Sequence, residues 1–268
     1  MTDADSAFAG SIPGLYDRYL GPMLFEPYAE ELARRAAAWS PSAILETAAG
    51  TGIVTAAIHR ALPGAEIVAT DLNQAMLDVA AGHIRSDHVR FRAADAQSLP
   101  FADDSFDLIV CQFGIMFFPD KVGANREAWR VLREGGRYLV AIWDSMARNP
   151  GSKAMSDGVA ALFPDDPPRF LERTPFGYSD PAEIEHDLLE AGFRDITFET
   201  VERRSRLASA RDAATGMCCG SPLRSEIEDR NPEMLDRAVD AAAAALSPWE
   251  GPGGLDVAMS AHIVTAIR

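Results

Sequence analysis

The sequence predicts an α/β fold in which a mostly parallel, doubly wound sheet is covered by helices on both faces. Strand-like and helix-like segments alternate through the first 145 residues, as they do where crossover helices join parallel strands. Residues 106–113, FDLIVCQF, form a continuous apolar run, which is typical of a central parallel strand. A length of 268 residues with 47% hydrophobic and 24% charged residues fits one such domain with insertions.

The first elements of the chain are a helix, a strand and a second helix. Residues 22–38 are alanine-rich and amphipathic, which predicts a long N-terminal helix that starts at a proline and ends before Pro41. The apolar segment AILE, residues 43–46, predicts the first strand. A glycine-containing loop follows it, and residues 55–62 return to a helical pattern.

The same alternation continues toward the middle of the chain. Residues 73–84 carry apolar residues at helical spacing, and Asn73 is suited to cap that helix. Further strands are predicted at 65–71, 88–95, 106–113 and 137–144, and a further helix at 121–132.

The second half is predicted to complete the sheet and to add a helical cap. Residues 145–180 are rich in Pro, Gly and Asp, which favours a loop or lid with short helices. A helix at 181–193 precedes an alternating strand at 193–203, and residues 258–268 form the last strand. We therefore expect a single domain, 1–268, with a core of about 40–145, 181–203 and 256–268 and a cap at about 204–255.

The net negative charge of the chain makes nucleic acid an unfavourable partner. A formal net charge of -15 and a pI near 4.7 oppose binding to nucleic acid. The basic run ERRSR, residues 202–206, is typical of a solvated strand end. The chain starts without a signal-peptide pattern and has no 18-residue apolar stretch. We expect a cytoplasmic protein that acts on a small molecule without a membrane; its oligomeric state stays open.

Polar or glycine-rich positions follow four successive predicted strands. Ligands of open α/β sheets bind outside the carboxyl ends of the strands, so these positions are expected to converge. Glycines let the backbone approach a ligand closely, and a carboxylate can accept hydrogen bonds from ribose hydroxyls or an adenine amino group. The positions are Glu46 with the loop Ala48-Ala49-Gly50-Thr51-Gly52, then Asp71, then Asp95-Ala96, then Gln112-Phe113.

Each of these signals also has a purely structural interpretation. The loop can be a tight turn, Asp71 can cap the next helix, and Asp95 can cap a turn before Leu99. Their order and spacing together favour a nucleoside with a charged tail. Glu46 would repel a pyrophosphate but suits a cation.

Residues 43–143 resemble the class I S-adenosylmethionine-dependent methyltransferases. The similarity is closest to the small-molecule branch that includes ubiquinone/menaquinone-biosynthesis C-methyltransferases. This family implies a Rossmann-like sheet of seven strands with the last one reversed, and S-adenosyl-L-methionine as cofactor with S-adenosyl-L-homocysteine as product. The matching segments are ILETAAGTG, ATDLNQAML, RAADAQSLPFADDSFDLIVCQFGIMFFPD and EAWRVLREGGRYLVAIWD.

The resemblance also implies roles for single residues. Asp71 would take the ribose hydroxyls and Leu72 would pack on the adenine. The chain departs from the commonest family loop, with Glu46 for Asp and Ala48 for the first Gly; alanine usually adopts a negative φ, so the turn is expected to be permissive there. The other implied contacts are Glu46 near the methionyl amine, Ala48, Gly50 and Gly52 along the methionine and ribose, Asp95 and Ala96 at the adenine edge, and Gln112 and Phe113 flanking the sulfonium.

Two alternatives were weighed against methyl transfer. An NAD(P)-dependent oxidoreductase predicts G-x-G-x-x-G, but Thr55 stands where the third glycine would be, and no Tyr-x-x-x-Lys pair occurs. The second alternative is a noncatalytic cofactor-binding module, but a large cap implies a substrate cavity.

The acceptor side of the site is less well defined by the sequence. Tyr16, Tyr19 and Met116 are candidate substrate contacts, each with core packing as the alternative. No histidine is placed at a strand end, so no catalytic base is named, and the three cysteines do not have metal-ligand spacing. The apolar candidates indicate a small, fairly hydrophobic acceptor, methylated at oxygen or carbon.

Overall fold

A mixed sheet organises the chain, for which a computed structural model describes residues 12–268. Its strands follow the order β3-β2-β1-β4-β5-β8-β6, and β7 pairs with β8. The strands are β1 Ala43–Glu46, β2 Glu66–Asp71, β3 Val89–Ala93, β4 Phe106–Gln112, β5 Leu132–Trp143, β6 Arg194–Leu207, β7 Glu250–Gly251 and β8 Gly254–Ile267.

The pairing of these strands confirms the predicted sheet. The first five strands pair in parallel, whereas β8 runs antiparallel to β5, from Arg137 opposite Ile267 to Trp143 opposite Ala261. Seven strands form the predicted sheet, and the two-residue β7 adds a short hairpin that is too brief to show a periodicity.

Helices connect and flank the strands. The α-helices are α1 Ile12–Leu15, α2 Glu26–Trp39, α3 Ile53–Ala61, α4 Gln74–His83, α5 Lys121–Val131, α6 Pro150–Ala160, α7 Phe170–Arg173, α8 Pro181–Glu190, α9 Ala210–Cys219, α10 Leu223–Arg230 and α11 Leu235–Leu246. A π-helical stretch covers Tyr16–Phe25, and 3-10 turns cover Ile115–Phe117, Met146–Arg148, Pro232–Met234 and Ser247–Trp249.

Several boundaries differ from the sequence prediction: β6 continues to Leu207, past the predicted 203, and β8 starts at Gly254, before the predicted 258. The predicted helix at 22–38 is divided, because Pro22 lies inside the π-helical stretch and the α-helix starts at Glu26. Strand β5 starts at Leu132, before the predicted 137, because a bulge shifts its register against β4 and Gly135 takes φ 74° there. The predicted cap at Asn73 is confirmed, since its side chain accepts from Ala75 N.

The described chain divides into two compact units. The sheet unit comprises residues 26–143, 178–201 and 261–268, and the helical unit comprises residues 12–25, 144–177 and 202–260. The predicted cap, 204–255, thus lies in the helical unit together with the segment after β5.

Each unit has its own core. In the sheet unit, the central strands bury both faces, with Ile44, Val110 and Val140 at most 1% exposed. In the helical unit, α6 lies close against α11, where a side chain at Gly158 would come within 3.0 Å of Ala241 O. Within residues 12–268, no helix has the length and apolar character needed to cross a membrane.

Candidate functional site

The first element of the site is a buried carboxylate at the end of β1. Glu46 is 2% exposed, and its carboxylate accepts a hydrogen bond from Thr55 Oγ1 on α3 at 2.5 Å. Burial raises the pKa of Glu46 to about 8, although the Thr55 bond lowers it and the charge of Asp71 raises it further. Without a positively charged partner, Glu46 is therefore largely protonated at neutral pH.

The loop after Glu46 is built from three residues in the left-handed region. Ala48, Gly50 and Gly52 have φ values of 53°, 57° and 82°. Alanine rarely takes such a φ, so the turn at Ala48 tolerates a strained backbone, at a cost of about 1–2 kcal/mol. Gly52 begins α3, and a side chain there would come within 2.8 Å of Ala80 Cβ, so only glycine fits without movement.

The carboxylate of Asp71 connects this loop to the end of β2. Its Oδ2 accepts from Gly50 N at 2.9 Å, and its Oδ1 accepts from Asn73 N at 2.8 Å. Burial raises the pKa of Asp71, whereas the hydrogen bonds from these backbone donors lower it by a smaller amount. The cap of α4 is Asn73 and not Asp71, so the helix-cap interpretation of Asp71 is wrong. Leu72 N is a further backbone donor to this carboxylate. A carboxylate has about four acceptor positions, so Asp71 can still accept from a ligand hydroxyl.

Next to Asp71 lies an exposed apolar side chain. Leu72 is 68% exposed, an unusual position for a large hydrophobic residue unless it meets a partner. An apolar side chain suits the flat face of a nucleobase, and the neighbouring carboxylate can accept hydrogen bonds from ribose hydroxyls.

Asp95 lies in the turn after β3. Its Oδ1 accepts from the backbone N of Gln97 at 2.8 Å and from Gln97 Nε2 at 3.2 Å. The Gln97 side chain in turn accepts from Asp120 N at the start of α5, at 2.9 Å. Asp95 therefore caps the turn before Leu99, as its structural interpretation predicted. Ala96, the next residue, is half-buried.

The end of β4 brings a second strained turn beside the loop. Gln112 ends the strand, and Phe113 has φ 53° with its N bonded to Ala141 O at 2.9 Å. A side chain on the next residue, Gly114, would overlap Ala48 Cβ. The turns after β1 and β4 are therefore in direct contact.

The structure also adds polar residues that the sequence analysis did not select. Thr55 supplies the hydrogen bond to Glu46, and Thr51, 3% exposed in the loop, has a buried hydroxyl with no hydrogen-bond partner among residues 12–268. A buried hydroxyl without a partner favours a ligand that supplies one. The available signal was the pair of threonines around Gly52, one directly before it and one three residues after it.

The candidate acceptor contacts belong to different units. Tyr16 and Tyr19 are half-buried in the helical unit, where Tyr16 stacks on Phe25 at 4.9 Å and Arg18 lies over the Tyr19 ring at 5.0 Å. Met116 is 3% exposed in the sheet unit. Each residue thus makes packing contacts of its own or is buried, and its contact with an acceptor stays a prediction.

Comparison with known proteins identifies the family of this fold and site. The family described as "Methyltransferase domain" matches residues 45–140. A ubiquinone/menaquinone biosynthesis C-methyltransferase from Pseudomonas aeruginosa is 31% identical over 176 residues, which cover 60% of this chain and 69% of that protein. The protein of the same name from Pectobacterium atrosepticum is 40% identical over 102 residues, 36% of this chain. The chain spans only 41% of the length of that relative.

Solved structures share the fold at low identity. The YcgJ protein from Bacillus subtilis has a TM-score of 0.58 at 19% identity, over 89% of this chain and 98% of that one. A phosphoethanolamine N-methyltransferase from Haemonchus contortus, in complex with S-adenosyl-L-methionine, has a TM-score of 0.60 at 15% identity, over 96% and 56% of the two chains. The chain belongs to the class I S-adenosylmethionine-dependent methyltransferase family.

Proposed function

We propose that the chain transfers a methyl group from S-adenosyl-L-methionine to a small, fairly hydrophobic acceptor, at oxygen or carbon. The names of the relatives, which are C-methyltransferases, favour carbon. The observation that carries the proposal is the set of acidic side chains at strand ends around a left-handed loop: Glu46, Asp71 and Asp95.

The chemistry of this set fits the cofactor. Burial raises the pKa of both Glu46 and Asp71, so their ionised forms need a positively charged ligand, which a pyrophosphate is not. A ligand with an ammonium group and a sulfonium would instead be stabilised there. The buried hydroxyl of Thr51 and the exposed Leu72 add a hydrogen-bonding group and an apolar surface.

We assign the following roles to the residues of the chain. Glu46 would lie near the methionyl ammonium, and the backbone of Ala48, Gly50 and Gly52 would line the methionine and ribose. Asp71 would accept from the ribose hydroxyls, and Leu72 would cover one face of the adenine. The adenine edge would contact Asp95 and Ala96, and the sulfonium would lie beside Gln112 and Phe113.

Methyl transfer by such a site depends mainly on position. Bound S-adenosylmethionine would supply an electrophilic methyl carbon, and placing the acceptor in line with it accounts for much of the rate. Excluding water from the pocket strengthens the electrostatic contacts. Tyr16, Tyr19 and Met116 are proposed to contact the acceptor, and no residue is assigned as a base. An oxygen acceptor would have to lose a proton, whereas an electron-rich carbon can attack without a base.

Calorimetry of cofactor binding tests the proposal. Asp71→Ala and Asp95→Ala should each weaken the binding of S-adenosylmethionine by about 5- to 100-fold. Each substitution removes hydrogen bonds from the ligand to a carboxylate, which are worth about 1–3 kcal/mol. Asp87→Ala is the matched control, since Asp87 is exposed before the opposite end of β3, and should bind as the parent does.

Unchanged affinity in both site variants would show that the cofactor lies elsewhere. A panel of quinone precursors and phenolic metabolites, assayed for transfer of a labelled methyl group, then separates an enzyme from a binding module. Cofactor binding without any turnover across the panel would favour the module.

A further inference from the structure

The side chain of Gln97 connects the carboxylate of Asp95 to the start of helix α5. Its Nε2 donates to Asp95 Oδ1 at 3.2 Å and lies 3.4 Å from Asp95 Oδ2. Its Oε1 accepts from the backbone N of Asp120 at 2.9 Å. Asp120 is the N-cap of α5, and its own carboxylate accepts from Gly123 N. One amide group thus joins the turn after β3 to the first turn of α5.

The backbone of Asp120 determines which way the Gln97 amide points. A backbone N–H can only donate, so the group that faces Asp120 N must be the amide oxygen. The NH2 group then faces Asp95, whose ionised carboxylate can only accept. Turning the amide over would oppose donor to donor at Asp120 and acceptor to acceptor at Asp95. Gln97 is therefore held in one orientation.

The two carboxylate oxygens of Asp95 are used unequally. Oδ1 accepts from Gln97 N at 2.8 Å and from Gln97 Nε2, so this oxygen holds the turn. Among residues 12–268, Oδ2 has only the 3.4 Å contact with Gln97 Nε2, which is long for a hydrogen bond. Oδ2 therefore keeps acceptor positions for a ligand, and Gln97 helps to determine where that oxygen lies.

Helix α5 holds the same turn at a second point. Glu127 Oε2 accepts from Leu99 N at 2.8 Å, and Arg130 Nη2 donates to Leu99 O at 3.0 Å. Arg130 also donates to both carboxylate oxygens of Glu127. Strand β3 is the outermost strand on its side of the sheet, so the turn that follows it has a neighbouring strand on one side only. Helix α5 is therefore the main support of this turn, and Gln97 is the contact that reaches the Asp95 carboxylate.

We propose that Gln97 is a positioning residue, which orients Asp95 Oδ2 towards the exocyclic amino group of the cofactor's base and so sets the preference of the site for adenine. Adenine carries an amino donor at position 6, whereas its deaminated form, hypoxanthine, carries a carbonyl acceptor there. A carboxylate oxygen accepts from the amino group but opposes the carbonyl oxygen. This inference rests on the proposed function, in which Asp95 contacts the adenine edge.

The test compares two ligands that differ only in the base. Calorimetry measures Kd for S-adenosylhomocysteine and for its deaminated analogue, S-inosylhomocysteine. The parent protein should bind the adenine ligand about 10- to 100-fold more tightly. Gln97→Met keeps the length of the side chain and removes its hydrogen bonds, so the Asp95 carboxylate loses its fixed position. The preference for adenine should then fall by about 3- to 10-fold.

Gln97→Glu separates the two contacts of the amide. The glutamate can still accept from Asp120 N but has no donor for Asp95, so the preference should fall as it does in Gln97→Met. The added charge cancels in the ratio of the two Kd values, because both ligands have the same net charge. A ratio in Gln97→Glu equal to that of the parent would mean that Gln97 serves only the start of α5, and would overturn the inference.

Arg126→Gln is the matched control on α5. It removes an exposed ion pair with Glu190 of α8 and should leave the ratio of the two Kd values as in the parent. A fall equal to that of Gln97→Met would show that any change in α5 alters the ratio, which would contradict a specific role for Gln97.

The outcomes distinguish this inference from the proposed function. If the parent binds neither S-adenosylmethionine nor S-adenosylhomocysteine, the proposed function and the inference both fail. If the parent prefers the adenine ligand and both Gln97 variants keep that preference, only the inference is overturned. An equal loss of affinity for both ligands also overturns it, because Gln97 would then support the turn alone. If Gln97→Met does not fold, Gln97→Glu provides the decisive measurement, since it keeps the bond from Asp120 N.

Discussion

Glu46 shows how burial changes the chemistry of a single residue. Its sequence position suggested a negative charge suited to a cation, but the structure places the carboxyl in the protein interior with one hydroxyl donor. Because burial favours the neutral form, the charge is available only when a ligand or a high pH draws the proton away.

We predict that ligand-free protein loses stability as pH rises from about 5 to 8, in part through Glu46. Its folded pKa of about 8 exceeds the model-peptide value of 4.5, so its stabilisation is complete below pH 4.5 and is lost as pH rises through the folded pKa. The loss is up to about 1.4 kcal/mol per pH unit. Urea denaturation at several pH values should show a flatter dependence in Glu46→Gln.

Glu127→Gln is the control for that experiment. The hydrogen bond from Arg130 lowers the pKa of Glu127, so its stabilisation is present above its ordinary pKa and is lost only as pH falls below that range. Its slope between pH 5 and 8 should match that of the parent. An unchanged slope in Glu46→Gln would mean that Glu46 is ionised in the folded protein.

At the scale of the elements, the turns after β1 and β4 depend on each other. Ala48 and Phe113 both take positive φ values, and Gly114 lies against Ala48 Cβ without room for a side chain of its own. The close contact means that a change of shape in either turn would be felt by the other.

We predict that Gly114→Ala destabilises the protein by about 1–3 kcal/mol in urea denaturation, because the new methyl group overlaps Ala48 Cβ. Ala48→Gly in the same chain should recover part of the loss, since it removes the overlapping atom and the strain of a left-handed alanine. Recovery should be incomplete, because Cys111 Sγ would still lie 3.0 Å from the added carbon.

Gly82→Ala is the matched control for these glycine substitutions. It lies in α4 with nothing within 4 Å of the added carbon, so alanine there should stabilise by about 0.5–1 kcal/mol. If the effects of Gly114→Ala and Ala48→Gly simply add, the two turns are not coupled.

At the scale of the whole molecule, the proposed cofactor contacts lie in one of the two compact units. Glu46, Asp71, Asp95 and Phe113 all belong to the sheet unit, although they are separated by long stretches of chain. The parallel sheet brings them to one edge, and the acidic surface of the chain, with a net charge of -15, favours a cationic ligand over an anionic one.

We predict that S-adenosylmethionine slows amide hydrogen exchange chiefly in the loops at the carboxyl ends of β1 to β4. These amides include Gly50 N and Asn73 N, which already bond to Asp71 and would lose solvent access when the ribose binds. Exchange in α11 of the helical unit is the internal reference. Protection in α11 with none at these loops would contradict the proposed site.

Much of the fold could be predicted because its signals are local. Alternating or continuous apolar residues predicted each of the seven main strands. The helix cap predicted at Asn73 is confirmed. The start of β5 was missed because its bulge depends on pairing with β4, and β7 was missed because two residues are too few to show a periodicity. The division of the first helix at Glu26 likewise has no periodic signal.

For the candidate site, the residues by themselves determined the order of the elements and which polar side chains end which strands. Parallel connection then requires those strand ends to share an edge, so convergence followed from the sequence. Only the tertiary structure decided that Glu46 is largely neutral, that Ala48 is left-handed and that Trp143 stacks on Phe113. Desolvation, close contact and ring stacking arise between residues far apart in the chain, where no local pattern can encode them.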